Sequence, residues 1–306
     1  MTAPLLVSAY PVSPAHAQWD PVLESELLPA LCALPGVAGL EVPWMGGVHP
    51  HDESWFLAHV PAVPLALTPI PFVMGRVSQN PAYGIASADA EGRTAALADL
   101  RRVASDAARI DDETAAFVAV VTLHTAPQVA GDASSLRRSL DEIASWDWRG
   151  AQLVIEHCDA AVPGQPHEKG FLPLETEIEA ISDSGAPIGL WLNWGRSAIE
   201  LRDADAVTAQ IAAAAASGLL RGLAFSGAAP VAGPYGYAWI DAHLPIASTH
   251  PASASLLDDA HVHAALAAAG DVPWLGVKVA RRPDDVTAQD AVRTVVRNLD
   301  VVRAAA

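Results

Sequence analysis

Cysteine is nearly missing from this chain: Cys32 and Cys158 are the only two in 306 residues. Two thiols exclude a disulfide framework and a CxxC metal ribbon, and they fit a reducing compartment. Lysine is as scarce, because Lys169 and Lys278 are the only lysines among 18 basic residues. Arginine therefore serves wherever a generic surface cation will do, and each lysine needs its own explanation. Positive charge is short altogether. A formal net charge of -17 argues against a nucleic-acid partner, since binding a phosphate backbone relies on clustered cations that release counterions. Although 51% of the residues are hydrophobic, no apolar run reaches the roughly 18 residues that a membrane span needs. The opening MTAPLLVSAYPVSP has neither the basic flank nor the cleavage pattern of a signal peptide. A soluble cytoplasmic protein without a membrane partner is the expectation. Also missing are a Ser/Gly linker, a composition shift, and a G-x-G-x-x-G fingerprint after the first β-rich run. Their absence favours one domain over residues 1–306 and argues against a dinucleotide-binding open sheet.

What is there is an alternation. Short β-rich apolar runs fall at residues 5–10, 38–42, 64–68, 117–124, 152–156, 188–193, 220–226 and 274–279. Stretches of helical period lie between them, clearest at 89–110, 134–146, 174–182, 204–216, 256–268 and 288–302. Eight strands alternating with helices predict a parallel sheet closed into a (β/α)8 TIM barrel. The segments after the third and seventh strands, 69–87 and 227–255, read as long loops, and loops of that length are usually functional or disordered.

Parity then selects residues. In a barrel strand alternate side chains face the lumen and the helix layer, and the outward set must be apolar. On the eighth strand Leu275, Val277 and Val279 take the outward parity, so Gly276 and Lys278 point in. The same count turns Glu41, Glu156, Asn193 and Ser226 inward, and Tyr10, Thr68 and His124 end their strands on the lumen side. The carboxyl ends of barrel strands are where such enzymes do their chemistry. Strand ends also become polar simply on reaching water, but two acids, an imidazole and a scarce lysine in one ring favour a site.

Two carboxylates in one pocket can hold different pKa values and act as acid and base, which assigns that pair of roles to Glu41 and Glu156. Lys278 would pair with Glu156, steady a developing oxyanion, or form a Schiff base if desolvated, with a plain lumen salt bridge to a glutamate as the bland reading. His124 is an acid, a base, a metal ligand or a hydrogen-bonded core residue, and His157, of outward parity, has a supporting role. Arg196 in NWGRS opens a helical segment, where free backbone N–H groups also favour anions, or it pairs with an acid. In the seventh loop Tyr235, Tyr237 and Trp239 with Asp241 and His243 combine flat apolar faces and polar tips, as a sugar-stacking lid does; ordinary loop packing accounts for the aromatics nearly as well.

The motifs GLEVPW, TLHTAP, IEHCD, EKGFL, NWGRS, FSG and YGYAWIDAHLP, in this order, resemble a bacterial family known as domain of unknown function 4862. That family is similar to the xylose-isomerase-like sugar isomerase and epimerase barrels. The wider resemblance implies a divalent metal held by Glu, Asp, His and Glu from the fifth to the eighth strands. Glu156 matches the first, but Asn193, Ser226 and Lys278 stand where the Asp, the His and the last Glu are expected. A hard cation wants several anionic oxygens and is repelled by an ammonium, so the usual metal site is disfavoured, leaving an unorthodox one from Glu41, His124 and Glu156. The resulting expectation is an isomerase or epimerase of a sugar or sugar derivative working by proton transfer. Glu156 and Glu41 serve as acid and base, Lys278 and His124 steady the oxyanion, and Tyr10, Asn193, Arg196, Ser226, Trp239, Asp241 and His243 place the substrate. The alternatives are a lyase or hydrolase of modified glycosides and a non-catalytic sugar-binding barrel. The partner expected is a small carbohydrate, with a homodimer as the assembly to test.

Overall fold

A computed structural model of the chain describes residues 3–305. The β-rich runs form β1 (Leu5–Ser8), β2 (Val37–Pro43), β3 (Pro64–Thr68), β4 (Phe117–Leu123), β5 (Gln152–Glu156), β6 (Ile188–Asn193), β7 (Leu220–Phe225) and β8 (Trp274–Val277). They close into a barrel in chain order, β1 to β8, so the closed architecture holds and the open sheet does not. The connecting helices are α1 (Ala9–Val12), α2 (Pro14–Ala17), α3 (Pro21–Cys32), α4 (Glu53–His59), α5 (Ile70–Gln79), α6 (Ala90–Glu113), α7 (Ala133–Ala144), α8 (Leu174–Ser184), α9 (Trp194–Leu201), α10 (Ala206–Ala216), α11 (Asp259–Ala269) and α12 (Ala288–Ala305). No helix among the described residues is long and apolar enough to cross a membrane.

Part of the acidity has a local use. The side chains of Asp20, Asp52, Asp89, Asp132 and Asp258 each accept backbone N–H groups at the start of a helix, satisfying donors that have no intrahelical partner.

Contacts along the backbone divide the chain into two compact units, one built from the chain up to Glu41 and from Leu192 onward, the other from Val42–Trp191. In the first, β1 pairs with β2 and β8, and β7 pairs with β8, all parallel. The register sets Ser8 opposite Glu41 and Val7 opposite Val277, so Lys278 emerges where β1 ends. In the second, β3, β4, β5 and β6 pair in that order, also parallel, with Glu156 opposite Trp191.

Two readings of local structure are corrected. Tyr10 does not end the first strand: β1 stops at Ser8 and Tyr10 lies in α1, because Pro11 has no N–H for a ladder and the chain turns. The segment after β3 is not a bare loop, since α5 occupies Ile70–Gln79. Its prolines disguise it, yet one of them sits in the first helical turn, where the missing N–H costs nothing. His124, Ser226 and Lys278 each lie one residue beyond their strands.

Candidate functional site

In the first unit the lumen-parity residues meet. Lys278, fully buried, places Nζ 2.6 Å from Glu41 Oε1. Ser8 Oγ donates to the other carboxylate oxygen, Oε2. Buried charges of this kind are nearly always paired, and here the scarce lysine is spent on a glutamate. The Lys278 ammonium also lies 5.5 Å from the centre of the Tyr10 ring, a cation–π contact. Tyr10 in turn meets the His243 ring edge to face at 6.3 Å.

From His243 the contacts continue. Its Nδ1 is 3.3 Å from Asp241 Oδ1, and Asp241 Oδ2 accepts from Arg196 Nε at 3.0 Å, with both side chains at most 5% exposed. Arg196 therefore pairs with an acid. The backbone N–H groups of Gly195 and Arg196 at the start of α9 are not open to an anion, because Asn193 Oδ1 accepts both. Asn193 Oδ1 also accepts from Ser226 Oγ at 2.7 Å. Gly195 makes this close approach feasible: a Cβ there would lie 2.7 Å from both the carbonyl and the hydroxyl oxygen of Ser226. NWGRS is thus a helix cap and a tight fit in one motif. Asn193 Nδ2 remains buried without a hydrogen-bond partner among the described residues, a donor pair awaiting an acceptor. Trp239, in the left-handed region at φ 66°, is stacked under the Arg202 guanidinium at 4.5 Å, so a cation already covers one ring face.

The second unit holds the other candidates. His124 Nε2 lies 3.9 Å from Glu156 Oε2 and 3.2 Å from Thr122 Oγ1, which donates to Thr68 Oγ1 at 3.1 Å. Cys158 Sγ is 3.9 Å from His124 Nδ1. All five side chains are buried. A small apolar cavity of about 20 Å³ beside His124 is lined by Val73, Tyr83, Leu100 and Ala126 among others. Burial, with Asp99 alongside, pushes the Tyr83 phenol above its ordinary range. The IEHCD and EKGFL motifs meet as well: Asp159 Oδ2 accepts the backbone N–H groups of Glu168 at 2.7 Å and Lys169 at 3.0 Å.

Sequence reasoning missed Ser8, Thr122 and Cys158. Each has the lumen parity of a neighbour that was chosen, so the signal existed.

The donor set does not fit the divalent metal that the resemblance to the xylose-isomerase-like barrels implies. Asn193 Oδ1 already accepts three hydrogen bonds, Ser226 spends its hydroxyl proton on that same oxygen, and Lys278 brings an ammonium. No group of three or more His, Cys, Asp or Glu side chains among the described residues is arranged to hold a metal.

Closed parallel eight-stranded order, with polar residues at the strand ends, defines the class: the chain has the xylose isomerase-like TIM-barrel fold. It is similar to a xylose isomerase domain-containing protein from Salmonella typhimurium LT2, with a TM-score of 0.61, 9% identity and 99% of each chain covered. It is likewise similar to an L-ribulose 3-epimerase, with a TM-score of 0.60 and 15% identity over 99% of this chain and 96% of that one. At such identities the likeness is one of fold. Within that fold the chain belongs to the family described as Domain of unknown function (DUF4862), whose model matches residues 6–294. Uncharacterized protein STM3670 of Salmonella typhimurium strain LT2 is 36% identical over 282 residues, 90% of this chain and 88% of that protein.

Proposed function

We propose that the protein is an isomerase or epimerase of a sugar or sugar derivative, working by proton transfer without a metal ligand set. The observation that carries the reading is the buried contact of Glu41 with Lys278 at 2.6 Å, braced by Ser8. A carboxylate is a competent base for a C–H next to a carbonyl, and an adjacent ammonium stabilises negative charge as it develops on the carbonyl oxygen. Glu41 takes the proton from carbon and Lys278 holds the enediolate; return of that proton to the neighbouring carbon, with passage of the hydroxyl proton from one enediolate oxygen to the other, completes an isomerisation. In the second unit Glu156, with His124 at 3.9 Å, is a further candidate for proton transfer. Asn193 Nδ2, buried without a partner, suits a substrate hydroxyl or carbonyl oxygen, since an unmet buried donor costs about 1–3 kcal/mol until it is satisfied.

The test is a thermal-shift screen of sugars, sugar phosphates and sugar acids, followed by proton–deuteron exchange at the carbon next to the carbonyl of each stabilising compound. Wild type should exchange that proton in D2O. Glu41→Gln should still bind and should lose exchange by about 100-fold or more, the usual scale of a general base. Binding without exchange in the wild type would leave a sugar-binding barrel. Full exchange in Glu41→Gln would remove Glu41 as the base.

A further inference from the structure

Glu177 belongs to none of the strand-end residues discussed above, yet it is completely buried. It sits in the first turn of α8. Its Oε1 accepts from Thr125 Oγ1 at 2.6 Å, and its Oε2 lies 2.8 Å from His157 Nδ1. Thr125 directly follows His124, and His157 directly follows Glu156. One carboxylate thus grips the next residue along from each member of the His124–Glu156 pair.

Burying a carboxylate carries a desolvation penalty of several kcal/mol, and an apolar side chain would tie a helix to two strands at lower cost. The first turn of a helix, where Glu177 sits, favours an acidic side chain. Against a carboxylate oxygen at 2.8 Å, His157 Nδ1 is the donor. The imidazole orientation and the direction of both hydrogen bonds are then fixed together. We propose that Glu177 is a positioning residue that sets the spacing and orientation of His124 and Glu156 by holding their chain neighbours Thr125 and His157. Its consequence for turnover rests on the proton-transfer reading given above; the positioning itself does not.

Glu177→Gln is nearly isosteric and offers one acceptor oxygen in place of two, so it cannot satisfy both donors. Thr125→Val removes one arm only. Nitrogen-15 spectra of the histidine rings, with His124 and His157 assigned from His124→Asn and His157→Asn variants, read the geometry without any substrate. In Glu177→Gln the ring signals of both His157 and His124 should move. In Thr125→Val those of His124 should move most, and in the remote cap variant Asp132→Ala neither should move. If Glu177→Gln melts earlier but its His124 signals overlay those of wild type, Glu177 is only a structural tie and the proposal fails. Where a turned-over sugar is in hand, kcat should fall about 10–100-fold in Glu177→Gln with KM unchanged, the scale expected when an orienting carboxylate is lost. Equal kcat in the two proteins would overturn the consequence for turnover, and unmoved His124 signals would overturn the positioning itself. A wild type with no turnover would sink the isomerase reading and leave the spectra to decide this one.

Discussion

At the scale of single residues, Lys278 and Glu41 depend on each other. A buried ion pair adds little net stability, but removing one partner strands the other charge and costs about 3–5 kcal/mol. Lys278→Met should therefore lower the unfolding free energy by roughly that amount, whereas Lys278→Met with Glu41→Leu should recover most of it. Urea unfolding of the three proteins checks this, and a single variant within 1 kcal/mol of wild type would mean that Glu41 tolerates losing its counter-charge. Both residues were legible in the sequence, because strand parity is a physical constraint and lysine is scarce enough to stand out. Glu177 was not, since a buried acid on a helix looks like a solvated one until its partners, 20 and 52 residues away, are known. The Arg196–Asp241 pair was only half legible: the charges were visible, but 45 residues of chain separate them.

Elements obey a more local grammar, and there the acids matter. At the start of α7, burial alone would raise the Asp132 carboxyl, but hydrogen bonds from Ser134 and Ser135 pull it down to about 2. A carboxyl held below its ordinary value of 3.8 stabilises the fold while ionised. That contribution is complete above about pH 4 and disappears as the pH falls through about 2. Asp132→Ala should thus cost about 1 kcal/mol at neutral pH, and the gap in urea midpoint between variant and wild type should close between pH 4 and pH 2. A gap that persists at pH 2 would mean that the neutral acid caps equally well. Most helices were readable because caps and apolar periods coincide, as with Asp89 before α6. Where prolines interrupt the pattern the reading failed: α5 was taken for loop, and the strand before α1 was drawn two residues too long.

For the whole molecule, the divisions between the two units fall after Glu41, within β2, and after Trp191, within β6. Boundaries between independent domains fall in exposed linkers, and a cut inside a strand is not one. We therefore expect residues 1–306 to unfold as one cooperative domain, giving a single calorimetric transition whose van't Hoff and calorimetric enthalpies agree. Two resolved transitions would assign the units to separate domains. The scarcity of lysine has a practical corollary at this scale. Lys278 is fully buried and Lys169 is 8% exposed, so the folded surface offers amine-directed reagents almost no lysine side chain. Acylation of either ε-amine, followed by mass spectrometry, becomes a clock for opening of the fold, and coupling the protein to a bead or dye through lysine would select molecules that had already come apart.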